Sequence, residues 1–395
     1  MTAREYPVFT VTPKAERSLR AGHPWVYGEE VTAVEGAYQN GDMVDVVSNK
    51  GRYLGTGWVN DHSKIRVRII SRNANDTFDE AFFRRRVCYA LNYRKTVMGP
   101  VDYRCCRLIF GEADQFPGLT VDRFENILVT QVLSLGMERR KDWVYRALVE
   151  LLREDDEQID AIYERNDVAI RTLEGLEQGK GFYQMEGLKT DLSGHVTITE
   201  NGIKYDVDYI EGQKTGFFLD QKYNRQAAAK LARGRRVLDC FTHTGAFALN
   251  AAAAGAEHVT AVDVSAFALE LAAENGKRNG LTNLDYKCAD VFDLLTEMAK
   301  EKKCDYDYII LDPPAFTKSR ATAKNAYHGY KEINRKAMRL LPRGGYLATC
   351  SCSHFMTDEM FRKMLQEAAL DAGVTLRQIE ARQQAPDHPI LPEVQ

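Results

Sequence analysis

The sequence lacks what would place a protein in a membrane or outside the cell. No run approaches the ~18 consecutive apolar residues of a membrane span, and the opening "MTAREYPVFTV" has no basic-then-apolar leader pattern. Cysteine is sparse, eight residues in 395, too few for a disulfide framework, so the thiols read as reduced and the protein as cytoplasmic. No C-x-x-C pair and no histidine-rich tract occurs, so no metal is expected. A G-x-G-x-x-G turn is missing as well, which removes the pyrophosphate cradle of a dinucleotide site. No internal repeat or low-complexity tract interrupts the chain.

What remains is ordinary globular material, 44% hydrophobic and 28% charged, in a chain long enough for two or three domains. The net charge of −3 hides an uneven distribution. Residues 212–236 carry seven basic side chains against Asp220 alone, and residues 316–343 carry eight against Glu332 alone. Two basic segments fit a local polyanion footprint, and they fit solvated helix faces equally well.

Residues 1–75 hold short β-like runs, "YPVFTVT", "MVDVVSN", "YLGTGWVN" and "KIRVRII", punctuated by glycines, which predicts a small barrel. "KAERSLRAGHPWVYGEEV" between the first two reads as a short helix, a glycine turn and an aromatic strand. Residues 76–200 open on a helix, "DEAFFRRRVCYALNYRKTVM", capped by Asp or Thr. A strand pair around "QFPGLTVDRFENILVTQVLS" and one long helix, "GMERRKDWVYRALVELLRE", then make an α+β middle domain. Residues 201–395 alternate apolar strands with helices, from "RRVLDCF" to a closing "TLRQIEARQQ". Such a pattern specifies a doubly wound parallel sheet.

Ligands of such sheets sit beyond the carboxyl ends of the strands. The first strand ends in "VLDCFTHTGAFAL": Asp239 closes it, and Gly245 lets the backbone turn tightly into the next helix. Asp263 ends the second strand, where one carboxylate suits a ribose diol. Asp290, beside Val291, ends the third and could accept from an adenine amino group. A single acid in such a place is commonly a surface or helix-capping residue; three at successive strand ends are harder to set aside. These residues resemble the class I S-adenosylmethionine-dependent methyltransferases, a Rossmann-like fold. The resemblance implies S-adenosyl-L-methionine as cofactor, with Asp239, Phe241, Thr244, Gly245, Asp263, Val264, Asp290 and Val291 around it. "ILDPPAF" resembles the Asp-Pro-Pro-x-Phe substrate motif, in which Asp312, Pro313, Pro314 and Phe316 would face a base.

"GGYLATCSCSHF" places Cys350 and Cys352 after the fifth strand. Carbon 5 of cytosine is a poor nucleophile until a thiolate adds to carbon 6, so an enzyme methylating it needs a cysteine across the pocket from the methyl donor. The stretch resembles the Gly-Gly-strand-Cys-Ser element of RNA cytosine-5 methyltransferases, and the spacing from Gly344-Gly345 assigns the nucleophile to Cys352. The second cysteine that many of those enzymes carry beside the Pro-Pro motif is replaced here by Ala315 and Phe316. His243 and His354 stand nearby in sequence without an assigned role.

Longer stretches narrow the resemblance. "GHPWVYGEEV" looks like the opening of a PUA domain, and "GEADQFPGLTVDRF" and "QKTGFFLDQKYNR" resemble bacterial PUA-containing rRNA large-subunit (cytosine-5) methyltransferases. That likeness implies 5-methylcytosine formation in 23S ribosomal RNA, with Asp312 and Cys352 catalytic. It further implies that Lys214, Thr215 and Asp220 line the cofactor pocket and that Arg225 holds a carboxylate or phosphate. The expected partner is ribosomal RNA, with no membrane and with a homodimer left open. A guanine methyltransferase, which would not need Cys352, and a non-catalytic RNA-binding protein are the alternatives. Chains of that family continue after "DHPILPE" into a last antiparallel strand. Ending at Gln395, this sequence is expected to leave a sheet edge exposed.

Overall fold

The computed structural model describes residues 5–301, 304–317, 322–353 and 355–394. His354 and residues 318–321 of the second basic segment lie outside the described residues. The chain divides into two compact units, one of Met1–Ile198, Val207–Asp220 and Ala385–Gln395, the other of Thr199–Asp206 and Gln221–Gln384.

The first unit opens with six strands: β1 (Val8–Val11), β2 (Trp25–Tyr27), β3 (Val31–Glu35), β4 (Met43–Ser48), β5 (Tyr53–Val59) and β6 (Ile65–Ser71). They pair in the order β2-β6-β5-β4-β1-β3, and only β1 and β4 run parallel. Phe9, Val11, Val44, Val46, Val59 and Val67 form its core, together with Ala15 and Leu19 of helix α1 (Pro13–Arg20). α2 (Glu80–Val97) follows; the Asp79 carboxylate accepts from Phe82 N and caps it.

A second sheet joins β7 (Cys105–Phe110), β8 (Leu119–Phe124), β9 (Ile127–Val132), β10 (Ala161–Arg165) and β11 (Lys180–Phe182) in the order β11-β10-β9-β8-β7. The single helix expected over "GMERRKDWVYRALVELLRE" is in fact two, α3 (Leu135–Glu138) and α4 (Lys141–Glu154). Arg140 N–H bonds the carbonyl of Met137, three residues back instead of four, and the first helix ends there. A two-stranded ribbon, β12 (His195–Glu200) and β13 (Ile203–Asp208), completes the pairing of this region.

The second unit carries five strands, β14 (Arg236–Cys240), β15 (His258–Asp263), β16 (Leu284–Cys288), β17 (Tyr308–Leu311) and β18 (Tyr346–Thr349), all parallel, in the order β16-β15-β14-β17-β18. Helices α5 (Lys222–Ala229), α6 (Ala246–Ala253), α7 (Ala266–Arg278), α8 (Val291–Glu301), α9 (Ala323–Leu340) and α10 (Asp358–Ala372) accompany it. Alternate residues serve the two faces. Val237, Val259, Ala261 and Ile310 pack on α6, whereas Leu238, Val262, Ile309 and Leu311 pack on α8 and α9. In the central strand β17 apolar residues therefore run without a break, as burial on both faces requires, whereas the edge strand β16 alternates and exposes Asp285 and Lys287.

The expected strand over "TLRQIEARQQ" does not form. Residues 374–384 carry no strand or helix and are nearly all exposed. Leu376, Ile379 and Ala381 are spaced three and two apart, so they make no one-sided apolar face for a sheet to bury.

Candidate active site

Five parallel strands point their carboxyl ends to one edge of the sheet, and the order turns back on either side of β14. The crevice between β14 and β17 is therefore the topological switch point at which such sheets bind ligands. Asp239 lies there, one residue before the end of β14, fully buried. Its Oδ2 accepts from the Thr242 hydroxyl at 2.5 Å, while its Oδ1 is enclosed with no hydrogen-bond partner among the described residues. Burial pushes the carboxyl up to about 7; the Thr242 bond opposes this and Asp312 adds to it.

The turn after β14 is bent by force of packing. Phe241 (φ +64°) and His243 (φ +51°) are both left-handed without being glycine, and Gly245 follows at +84°. A Cβ on Gly245 would stand 2.9 Å from the Ala272 Cβ and 3.0 Å from Leu249 Cδ1, so a glycine is needed to bring α6 against α7. Two non-glycine residues held this way mark a loop whose shape is imposed by its surroundings. Thr244 completes the turn, half-buried. Burial holds the His243 imidazole below its ordinary value against the pull of Asp263.

Asp263 accepts from the backbone N–H groups of His243 and Ser265, each at 2.9 Å, and so ties the β14 turn to the end of β15. Val264 beside it is 65% exposed, a bare apolar side chain just past the carboxyl end of β15. Asp290 accepts from Asp293 N at 3.1 Å and caps α8. Val291 is buried in the core under that helix.

Across the switch point, β17 runs out into Asp312-Pro313-Pro314. Asp312 Oδ1 accepts from Gln221 Nε2 at 3.1 Å, and Gln221 Oε1 accepts from Asn224 Nδ2 at 2.6 Å. Phe316 stacks on Tyr330 of α9, ring centroids 4.5 Å apart, and lies 5.8 Å from Phe292. It is thus a packing residue at least as much as a facing one.

The two cysteines stand in different environments. Cys350 is partly buried against the β14–β17 side of the sheet, its N–H bonded to the Leu311 carbonyl. Burial pushes its thiol well up, with Asp312 adding to the effect, so the thiolate is scarce at neutral pH. Cys352 is exposed, and its thiol donates to the Pro313 carbonyl at 3.7 Å. Both thiols lie near the Asp-Pro-Pro turn, but the exposed one bonds the Pro313 carbonyl while the buried one sits beside Asp312 and Gln221.

The remaining expected residues are engaged locally. Arg225 is buried and paired with Glu200 at 2.6 Å, so the carboxylate it holds is the protein's own. Lys214, Thr215 and Asp220 belong to the first unit. There the Thr215 hydroxyl donates to Asp122, which is also gripped by Arg107; the Lys214 ammonium lies over the Phe218 ring, and the Asp220 carbonyl accepts from Ala385 N. Sequence reasoning missed Thr242, Gln221, Tyr330 and Ser353. Only Thr242, a hydroxyl three residues past a buried acid, carried a signal that could have been read.

Comparison with known proteins agrees with this geometry. A family model for an S-adenosylmethionine-dependent methyltransferase matches residues 182–394, and one for a PUA-like domain matches residues 9–72. The chain belongs to the S-adenosylmethionine-dependent methyltransferases. Curated relatives named ribosomal RNA large subunit methyltransferase I align along nearly the whole length. The protein from Pseudoalteromonas atlantica is 40% identical over 96% of this chain and 94% of its own, and that from Aeromonas salmonicida is 42% identical over 95% and 93%. Among solved structures, a protein described as a SAM-dependent methyltransferase from Streptococcus mutans superposes with a TM-score of 0.79 at 22% identity, covering 98% of this chain and 96% of that one. A second, solved in complex with SAH, gives 0.80 at 21%, with the same coverage. At that identity the two establish the fold.

This methyltransferase uses S-adenosylmethionine, and the residues at the switch point fit it. An orphaned carboxylate oxygen inside the crevice suits an ammonium, and an exposed valine just past the carboxyl end of β15 suits the face of an adenine. Among the described residues, no helix is long and apolar enough to cross a membrane, and no cluster of metal-ligating side chains occurs.

Proposed function

We propose that this methyltransferase acts on large-subunit ribosomal RNA, as its relatives' names state of them, and methylates carbon 5 of a cytosine through Cys352. The observation that carries the reading is the contrast between the cysteines: Cys352 is exposed with its thiol at the Pro313 carbonyl, while Cys350 is partly buried with its thiol pushed well up.

In this reading Asp239, Phe241, Thr244, Gly245, Asp263, Val264, Asp290 and Val291 hold the cofactor from the sheet edge. Bound S-adenosylmethionine supplies an electrophilic methyl carbon. Asp312, held by Gln221, and the carbonyls of the Pro313-Pro314 turn grip the base edge beside Phe316. The Cys352 thiolate adds to carbon 6 and breaks the 5,6 double bond, leaving an enamine whose carbon 5 takes the methyl group. Loss of the carbon-5 proton to a base and elimination of the thiolate restore the ring. The PUA-like domain docks the RNA, the middle region to residue 200 links it onward, and the chain from residue 201 does the chemistry. Arg225, paired with Glu200, supports this site from within and is not needed on a phosphate.

The test is transfer of labelled methyl to undermethylated ribosomal RNA by wild type, Cys352→Ala and Cys350→Ala, with the product nucleoside identified. Labelled 5-methylcytidine lost only in Cys352→Ala is the expected result. Methylation surviving both substitutions, with label on guanosine, would reject the thiol mechanism.

A further inference from the structure

Tyr330 of α9 is fully buried, yet it ends in a hydroxyl. That hydroxyl is 2.9 Å from Ser353 Oγ, the residue next to Cys352. Burial raises the phenol above its ordinary value, so it stays protonated and can donate. The other surface of the residue faces the substrate motif: its ring stacks on Phe316 at 4.5 Å, and Phe361 of α10 closes its edge at 6.2 Å. The preceding Gly329 makes the stack feasible, since a Cβ there would press to 3.3 Å on the Phe316 ring. Ser353 is itself fixed, buried, its N–H on Ser351 Oγ and its carbonyl accepting from Met356 N. One side chain thus touches both loops that frame the thiol, and Cys352 meets Pro313 between those two contacts.

We infer that Tyr330 is a positioning residue: through its hydroxyl on Ser353 and its ring on Phe316 it holds the Cys352 loop against the Asp312-Pro313-Pro314 turn. The inference rests on the reading of Cys352 as nucleophile for its catalytic consequence, though not for the placement itself. A thiol that must reach carbon 6 of a base gripped by the facing turn tolerates little slack, since a displacement of about 1 Å costs on the order of a hundredfold in rate. A buried hydroxyl pair fixes the distance more narrowly than apolar packing would.

The test uses the full chain with Tyr330→Phe, Ser353→Ala, their combination and Ser353→Thr. Alkylation of Cys352 by iodoacetamide is followed by peptide mass spectrometry from pH 6.5 to 9, beside kcat and KM for S-adenosylmethionine and RNA. Tyr330→Phe and Ser353→Ala should each speed alkylation of Cys352 about threefold or more as the thiol leaves Pro313. Each should lower kcat roughly tenfold with the cofactor KM held within about twofold. The double variant should match Tyr330→Phe, which takes the hydroxyl from both Ser351 and Ser353, Ser353→Ala should fall no further than that, and Ser353→Thr should behave as wild type. Alkylation of Cys352 unchanged or slower in both single variants overturns the inference, whatever happens to stability. Full activity in Cys352→Ala would instead sink the nucleophile, and the alkylation rates would still decide the role of Tyr330.

Discussion

Asp239 sits in a place where a charge is costly and a proton is comfortable. Ionising a carboxyl held near 7, where the ordinary value is 3.8, costs about 4 kcal/mol in the free protein. The sign follows from proton counting. Between roughly pH 4 and pH 7 the folded state keeps a proton that the unfolded chain has lost, so the contribution of this group to stability falls as pH rises through that window. From pH 5 to pH 8 the wild type should lose about 2–3 kcal/mol that Asp239→Asn does not lose. Ligand binding runs the other way, because an ammonium beside Oδ1 needs the carboxylate. If only the ionised form binds, affinity for S-adenosylhomocysteine should be about eightfold tighter at pH 7.5 than at pH 6, with proton release on binding. Titration calorimetry at the two pH values, in buffers of different ionisation enthalpy, reads both quantities. An affinity that is flat over this range, or one with the same slope in Asp239→Asn, would refute the assignment of Asp239 to the cofactor's ammonium.

Three further outcomes can be checked by simpler means. Gly245→Ala should destabilise the protein by about 2–4 kcal/mol in urea titration, since the new Cβ meets Ala272 and the backbone is left-handed. Glu200→Gln leaves the buried Arg225 guanidinium without its counter-charge and should cost about 3–5 kcal/mol in the same assay; a cost under about 1 kcal/mol would mean that the pair is solvated. Val264→Ala should leave the unfolding midpoint of the ligand-free protein nearly untouched, because the side chain is exposed. The same change should weaken S-adenosylhomocysteine several-fold by calorimetry, as expected for the loss of about two methyl groups from an apolar contact.

The fold was legible in the sequence wherever burial imposed a repeating pattern. The central strands of the second unit are buried on both faces, so "VLDC", "HVTAVD" and "YIIL" stood out, and their order with the helices specified a parallel sheet. β7, "CCRLIF", was passed over because a short apolar run broken only by Arg107 carries no clear periodicity of its own. The closing "TLRQIEARQQ" forms no strand, and its Leu376 and Ile379, three apart, share no strand face. Of the site, the acids at the strand ends were readable because position along a strand predicts place in the crevice. What each does was less readable: Asp290 caps a helix, Asp263 ties two loops together, and Asp239 keeps an enclosed oxygen with no hydrogen-bond partner among the described residues. Gln221, Tyr330 and Ser353 reach the site from different elements, and no local pattern joins them.

Charge was the least reliable guide, for a definite physical reason. The eight cations of residues 316–343 suggested a polyanion footprint when counted along the chain. Folded, Lys331 pairs with Glu367 and Asp371 of α10, Arg339 donates to the Asp371 carbonyl, and Arg335 and Lys336 close on Glu332. In the other segment, Arg225 pairs with Glu200, Arg235 with Asp307 and Arg236 with Glu257. A cation beside its own carboxylate releases few counterions when a phosphate arrives, so its share of an RNA-binding salt slope is small. Glu332 lies within the segment, but the acids that neutralise Lys331 lie thirty-six and forty residues downstream, beyond any window over which local charge is read. A run of lysine and arginine therefore reports only half of an electrostatic surface, and the helix packed against it reports the other half. On that ground the paired cations add little to the case for RNA as substrate, while Lys324 and Arg343 remain exposed on the second segment.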